Sequence, residues 1–237
     1  MLVTKEYDRG RAYEYAERWA LSRNPLFFDY TGIGGNCTNF VSQALFAGGC
    51  VMNFTPIYGW YYLSPNERTA SWTGVDYFRD FLVENRGEGP FAREVGPDGL
   101  NIGDVIQLGR QDVGYYHTLL VVGYASDGYL VAAQSDDAFD RPLSSYQYDF
   151  ARYLHIEGIR FEIQFEGEDC YEGLLNGTSI FEEGAEIPAL PETTVPSEPG
   201  PDCRGEMPAQ PPALPPQQQQ PQSQEPPMQE QPPQQTP

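Results

Sequence analysis

The chain has 237 residues and a formal net charge of −20, and its charge is unevenly distributed. Residues 1–160 hold 20 acidic and 13 basic side chains, whereas the residues after them hold 14 acidic and 1 basic. This acidity argues against nucleic acid or an anionic lipid surface as the main partner. No apolar run is long enough for a membrane-spanning helix, and the first residues lack the apolar segment of a signal peptide.

The C-terminal third has the composition of a disordered segment. Sixteen of the 22 prolines follow Ile187, in a Pro/Gln-rich end. Such a segment cannot bury enough apolar surface to offset its conformational entropy. We therefore expect a single folded domain over residues 1–165, which is a monomer, and an acidic, then Pro/Gln-rich disordered tail over residues 166–237.

Two helices are predicted on either side of an irregular, aromatic-rich region. Asp8 is a suitable N-cap for a helix to about Leu21, because apolar residues recur at spacings of 3, 4 and 7. Ser71 or Thr73 can cap a second helix that ends near Asn85.

The periodicity changes after Ile102. Short β-branched runs at Asp104–Leu108, His117–Tyr124 and Tyr129–Ser135 predict strands, and the turn around Asp127 makes the second and third a hairpin. Arg152–Phe165 alternates like one or two further strands. Helices followed by an antiparallel sheet predict an α+β domain.

A third helix begins at Cys37. Gly34, Gly35 and Asn36 are poor helix formers, while the residues after Cys37 carry an apolar stripe: Phe40, Val41, Ala44 and Leu45. We expect Gly48 and Gly49 to end this helix, with glycine in the left-handed conformation. The pattern places Cys37 in the first turn of a buried helix.

That position suits a nucleophilic cysteine. The unpaired N–H groups and the dipole of a first turn stabilise a thiolate, and the same groups can bind an oxyanion. The alternative is that Cys37 is a small buried apolar residue. The other cysteines form no C-x-x-C pair, so no metal or cofactor is expected. Cys50 is interpreted as a packing residue. Cys170 and Cys203 could pair with each other in an oxidising compartment.

His117 is the better of two candidate bases, because the other histidine, His155, lies in the middle of an alternating strand. If Tyr124 faces Tyr129 across the hairpin, His117 lies opposite Asp136. Gln134 is then its diagonal neighbour on the same face, whereas a loop shorter by one residue turns Gln134 to the other face. The hairpin leaves open whether Gln134 or Asp136 orients the imidazole. In the mechanism that this suggests, Cys37 attacks an amide or ester carbonyl and His117 moves the proton.

Residues from Tyr7 to about Leu154 resemble the putative amidase domain family, a branch of the papain-like (CHAP- and NlpC-type) cysteine hydrolases. The matching segments are Tyr7-Asp8-Arg9, Ala12, Tyr15-Ala16, Asn24-Pro25, Gly34-Gly35-Asn36-Cys37-Thr38-Asn39-Phe40-Val41-Ser42-Gln43, Ala47-Gly48-Gly49, Trp60-Tyr61-Tyr62, Ser71-Trp72-Thr73, Gly103-Asp104-Val105-Ile106, His117-Thr118 and Asp140-Arg141-Pro142-Leu143-Ser144.

The resemblance implies a papain-like α+β fold, Cys37 as nucleophile and His117 as base. It also implies a bacterial protein that hydrolyses an amide bond of a peptide or peptidoglycan-type substrate such as cell-wall peptide. Two positions depart from the family pattern: Asn36 stands where Asp is usual, and Gln134 where the third polar residue is usually His. Glutamine can accept a hydrogen bond from imidazole, and Asp136 is the other candidate for that role.

Two alternatives to a hydrolase use the same residues. One is a catalytically silent module that binds a peptide or glycan, and the other is an acyltransferase with the same thiol and base. The reactivity of Cys37 toward an alkylating reagent separates an enzyme from a binding module.

Overall fold

The structure is a computed structural model that describes residues 1–163 and 169–181. Within these residues the fold is α+β, and seven strands form an antiparallel sheet in the order β1-β9-β5-β6-β7-β8, with β4 also paired to β9. The strands are β1 (Leu2–Lys5), β2 (Tyr62–Ser64), β3 (Glu67–Arg68), β4 (Gly89–Val95), β5 (Val105–Arg110), β6 (Gly114–Ala125), β7 (Gly128–Ala133), β8 (Ala138–Pro142) and β9 (Phe150–Glu162). The helices are α1 (Arg9–Trp19), α2 (Cys37–Ala47), α3 (Ala70–Thr73), α4 (Val75–Glu84) and α5 (Tyr171–Asn176).

Helix α1 begins where the sequence predicts. The side chain of Asp8 is the N-cap and accepts a hydrogen bond of 3.0 Å from the backbone N–H of Arg11. The face that packs into the core consists of Ala12, Tyr15, Ala16 and Trp19, as the spacing predicts. Helix α4 also ends at Asn85 as predicted, but Gly74 is its N-cap, so the prediction that Ser71 or Thr73 caps it is wrong.

Helix α2 is buried on every side rather than along one stripe, since none of its 11 residues is exposed. The helix ends at Gly48, as expected. The prediction that a glycine there adopts the left-handed conformation is wrong, because Gly48 has φ of −76°. The residue with positive φ is Cys50, at 51°. The glycine is required for close packing instead. A Cβ on Gly48 would lie 2.3 Å from the ring of Tyr7.

The centre of the sheet, in β5, β6 and β7, is buried on both faces. Leu120, Val122 and Ala132 face the helices and join the main hydrophobic core. Leu119, Val121 and Val131 face the other way, into a second cluster that includes Leu100, Tyr116 and Leu143. The central part of β6 is therefore a continuous apolar run, because neither face is open to solvent there.

The hairpin of β6 and β7 forms with Tyr124 opposite Tyr129, as one of the two predicted registers requires. A bulge between Val121 and Gly123 then shifts the register, so that Leu120 pairs with Ala132. Extending this pairing by two residues aligns Thr118 with Gln134. Because side chains alternate along a strand, Gln134 shares its face with Thr118 and not with His117.

The folded region extends beyond residue 165, so the predicted domain boundary is too early. Cys170 forms a disulfide with Cys50, with their Cα atoms 5.4 Å apart, and the interpretation of Cys50 as a packing residue is wrong. Helix α5 follows, and the indole of Trp19 donates to the carbonyl of Leu175 at 3.1 Å. Cys203 and the rest of the predicted tail, residues 182–237, lie outside the described residues.

Strands β1, β4 and β8 were not expected from the sequence. Strand β4 occupies the region that the glycines and Pro90 and Pro97 suggest is a connection, and it pairs with β9 over its whole length. Among the helices that the structure describes, none is long and apolar enough to cross a membrane.

Candidate active site

The segment before Cys37 is held by the side chain and backbone of Asn36. Its Oδ1 accepts from the N–H of Tyr30 at 3.0 Å and from the amide of Asn39 at 2.8 Å. Its backbone N–H donates to the Oγ of Ser135, and its Nδ2 donates to Oε1 of Gln134. Asn36 therefore fixes the start of α2 to both the preceding turn and the end of β7.

Cys37 is the first residue of α2, as predicted, and its side chain packs with Val75 and Tyr115. The residue is fully buried, and its sulfur is in a disulfide in this structure. The next residue, Thr38, contacts the hydroxyl of Thr118 through its own hydroxyl at 2.9 Å. The thiol chemistry considered below therefore belongs to the reduced form of Cys37.

His117 lies in the first half of β6, before the pairing with β7 begins at Leu120. On its other side it pairs with Leu108, and a bulge follows, so that Tyr115 is opposite Gly109. Directly paired antiparallel residues point to the same face, so His117 leaves the strand on the face of the second hydrophobic cluster, which contains Leu108.

Cys37 and His117 thus lie at the same end of β6. Tyr115 packs against the cluster of Cys37 and Val75, and Thr118 contacts Thr38. These two strand residues flank the Tyr116–His117 pair. Within the described residues the strand has no β7 partner along this part, and the first turn of α2 contacts it there through Thr38. Thr118 and His117 point to opposite faces of β6, with Thr118 on the face of α2.

The imidazole of His117 is buried, and burial lowers its pKa to about 4; Asp136 opposes this effect and Arg141 adds to it. Its Nε2 has no hydrogen-bond partner among the described residues. A buried, unpaired polar atom of this kind costs about 1–3 kcal/mol. At neutral pH the ring is therefore neutral, which is the form that can accept a proton from a thiol.

Gln134 is fully engaged away from His117. Its Nε2 donates to the carbonyls of Trp19 and Ser22 at 2.8 and 2.7 Å, and its Oε1 accepts from Asn36. With both amide hydrogens used, Gln134 links the end of α1 to the residue before Cys37. Its contacts make it a support for the N-terminus of α2.

Asp136 is on the surface and pairs with Arg141. It is close enough to His117 to raise its pKa electrostatically, but its carboxylate is hydrogen-bonded to the guanidinium. Among the described hydrogen bonds, neither Gln134 nor Asp136 is bonded to His117, so the expected orienting contact is not formed by either.

Three further residues of this region have no role that the sequence predicts. Ser135 and Thr118 position the first turn of α2, and the ring of Tyr146 contacts the imidazole with centroids 5.9 Å apart. Ser135 has φ of 81°, which a local pattern does not reveal. In the sequence, Tyr146 is marked only by its position just after a turn that begins at Pro142. Such positions are too common to indicate a functional site.

The fold and site together define an α+β domain with a cysteine at the start of a buried helix and a histidine on the adjacent strand. A family model described as "Putative amidase domain" matches residues 6–156. The chain belongs to this family, as its sequence motifs predict.

One curated relative is the protein YhbB of Bacillus subtilis (strain 168), which is described as uncharacterized. The two are 33% identical over 136 residues, which are 56% of this chain and 43% of the relative. The chain thus spans less than half the length of this relative. No solved structure matches the chain significantly.

Proposed function

We propose that this domain is a cysteine-dependent amidase of the papain-like type, with Cys37 as nucleophile and His117 as general acid and base. Membership of the putative amidase domain family supports the amidase class, and the cysteine mechanism and a cell-wall peptide as substrate are our proposal. The observation that supports it is that Cys37 is the first residue of α2 while the next residue, Thr38, contacts Thr118, which follows His117 in β6.

The proposed reaction begins with reduced Cys37. The thiol proton moves to Nδ1 of His117, since Nε2 is the enclosed ring nitrogen, and the thiolate attacks the amide carbonyl carbon. The first-turn N–H groups of α2 stabilise the oxyanion. Collapse breaks the C–N bond, His117 returns its proton to the leaving amine, and water hydrolyses the thioester.

The test measures the alkylation of each cysteine by iodoacetamide in the reduced full-length chain, with site-resolved mass spectrometry. We expect Cys37 to react at pH 7 at least about tenfold faster than Cys50 and Cys170, which serve as internal controls. The variant His117→Ala should remove this difference. Equal reactivity of the three thiols, or no effect of His117→Ala, would overturn the proposal.

A silent binding module remains the second candidate, because Cys37 is fully buried and disulfide-bonded in this structure. In that case Cys37 has a structural role and its reduction gives no rapidly alkylated thiol. Hydrolysis of a muropeptide by the reduced chain, absent in Cys37→Ala, supports the amidase and excludes this alternative.

A further inference from the structure

His117 lies against two tyrosines. Its ring is stacked with Tyr116, with centroids 6.1 Å apart and planes at 12°, and it is tilted by 40° against Tyr146 at 5.9 Å. Both tyrosines belong to, or pack against, the second hydrophobic cluster. The imidazole therefore sits in an aromatic environment on the sheet face away from α2.

The two tyrosines differ in what their hydroxyl groups do. Tyr116 donates to the carbonyl of Gln147 at 3.0 Å. The Tyr146 hydroxyl is buried and close to the Arg141 guanidinium, but it makes no hydrogen bond of good geometry in the described part of the chain, and Nε2 of His117 makes none either. Two complementary polar atoms in neighbouring rings are thus both unpaired, although buried polar groups are almost always hydrogen-bonded.

The surroundings of Tyr146 hold its ring in place. It follows the 3₁₀ turn Leu143–Ser145, and the guanidinium of Arg141 lies over its face, 4.0 Å from the ring centroid. Arg141 is in turn paired with Asp136. These two are the charged groups that act on the imidazole, and Arg141 also donates to the Oγ of Ser145 at 2.9 Å.

We propose that Tyr146 is the positioning residue for His117, accepting a hydrogen bond from Nε2–H of the imidazole in the active enzyme. This rests on the proposed function and supplies the role for which the sequence suggested Gln134 or Asp136. A hydrogen bond between these neighbouring rings pairs both buried atoms. Nδ1 is then left with its lone pair for the Cys37 proton, and Nε2–H keeps the same acceptor before and after proton transfer.

The test uses NMR of the imidazole nitrogens in the reduced full-length chain, which contains only two histidines. In the wild type, His117 should be the Nε2–H tautomer. The variant Tyr146→Phe should lower the titration midpoint of His117 by roughly half a pKa unit, because an acceptor for the imidazolium is lost. In this variant the alkylation of Cys37 by iodoacetamide should slow several-fold. The acidic limb of the pH profile of the alkylation rate should shift to lower pH.

Tyr116→Phe is the matched control, since it removes a hydroxyl from the other stacked ring. It should leave the His117 midpoint and the Cys37 rate within error of the wild type. Equal effects of the two variants, or an Nδ1–H tautomer of His117 in the wild type, would overturn the proposal. The tautomer is measured by NMR in the wild type, so this result does not depend on whether Tyr146→Phe folds. If Cys37 is alkylated slowly and His117→Ala does not change this rate, the proposed function is rejected instead. The hydrogen bond between His117 and Tyr146 can still be measured by NMR in that case.

Discussion

The amide nitrogen of Asn36 donates to the amide oxygen of Gln134. These are the two positions at which the sequence departs from the pattern of the family that it resembles, where Asp and His are usual. The structure shows that they touch, and both are buried. A neutral amide pair thus stands where that pattern would place a carboxylate beside an imidazole.

This contact predicts that the two positions are energetically coupled. Asn36→Asp alone should destabilise the fold by about 1–3 kcal/mol, because a carboxylate oxygen would then face Oε1 of Gln134 without a proton between them. Adding Gln134→His should recover part of the loss, with a coupling energy on the order of 1 kcal/mol. Urea unfolding of the two single variants and the double variant measures this.

The control for this cycle is Asn66→Asp, the same substitution at an exposed asparagine, which should change stability by less than about 0.5 kcal/mol. Additive effects at positions 36 and 134 would show that the hydrogen bond contributes nothing to the fold.

A second prediction concerns the fully buried carboxylate of Asp104. It accepts from Arg9 at 2.6 Å, from His155 at 2.7 Å and from two backbone N–H groups at 2.8 and 2.9 Å. Asp104→Asn should lower the free energy of unfolding by about 3–5 kcal/mol. The substitution removes the negative charge that pairs with Arg9, and its amide N–H₂ group faces hydrogen-bond donors. The measurement is the free energy of unfolding in urea.

Asp76→Asn provides the comparison. Asp76 pairs with Arg152 at 2.7 Å, but its side chain is 49% exposed, so the substitution should cost less than about 1 kcal/mol. Similar losses for the two variants would contradict the view that burial makes the Asp104 network important.

A third prediction follows from the depressed pKa of His117. Burial holds the pKa of His117 at about 4, below the ordinary value of 6.5. Between pH 4 and pH 6.5 the unfolded chain therefore binds a proton on this histidine that the folded chain does not. The stability contributed by the neutral ring is present above pH 6.5 and is lost as the pH falls toward 4, by up to roughly 3 kcal/mol.

The check is to measure the free energy of unfolding against pH for the wild type and for His117→Gln. The carboxylates titrate in both proteins, so the difference between the two curves isolates the histidine. We expect the wild type to lose stability more steeply below pH 6.5. Parallel curves would mean that His117 titrates normally in the fold.

A fourth prediction concerns the disulfide between Cys50 and Cys170, which closes a loop with a sequence separation of 120. Replacing both cysteines by alanine should reduce stability by about 2–4 kcal/mol, mainly because the unfolded chain regains freedom. Thermal unfolding of the wild type and of this double variant, both without reductant, measures the loss, because the disulfide of Cys37 is then intact in both. An unchanged melting temperature would indicate that α5 stays docked through its other contacts alone.

Local pattern predicted the elements that carry the candidate site, but not how they meet. The start of α1 at Asp8 and of α2 at Cys37 follows from capping and glycine signals, and the hairpin turn follows from Asp127-Gly128. The bulge beyond Val121 has no local signal, yet it decides the face of Gln134. An extra residue in one strand depends on packing against both faces of the sheet, which a single sequence does not display.

The C-terminal boundary was missed for a different reason. Composition averages over long windows, and the acidic residues around position 170 hid a short helix whose docking depends on Cys50 and Trp19, both distant in sequence. Long-range contacts of this kind override weak local propensity.

Helix α2 has no side chain that faces solvent. An amphipathic helix accepts polar replacements at most of its outward positions, so a saturation library shows sensitive sites at every third or fourth residue. In α2 the same library should give an uninterrupted block of intolerance from Cys37 to Ala47. Any fluorescent or spin label for following this helix therefore has to be attached to a neighbouring element.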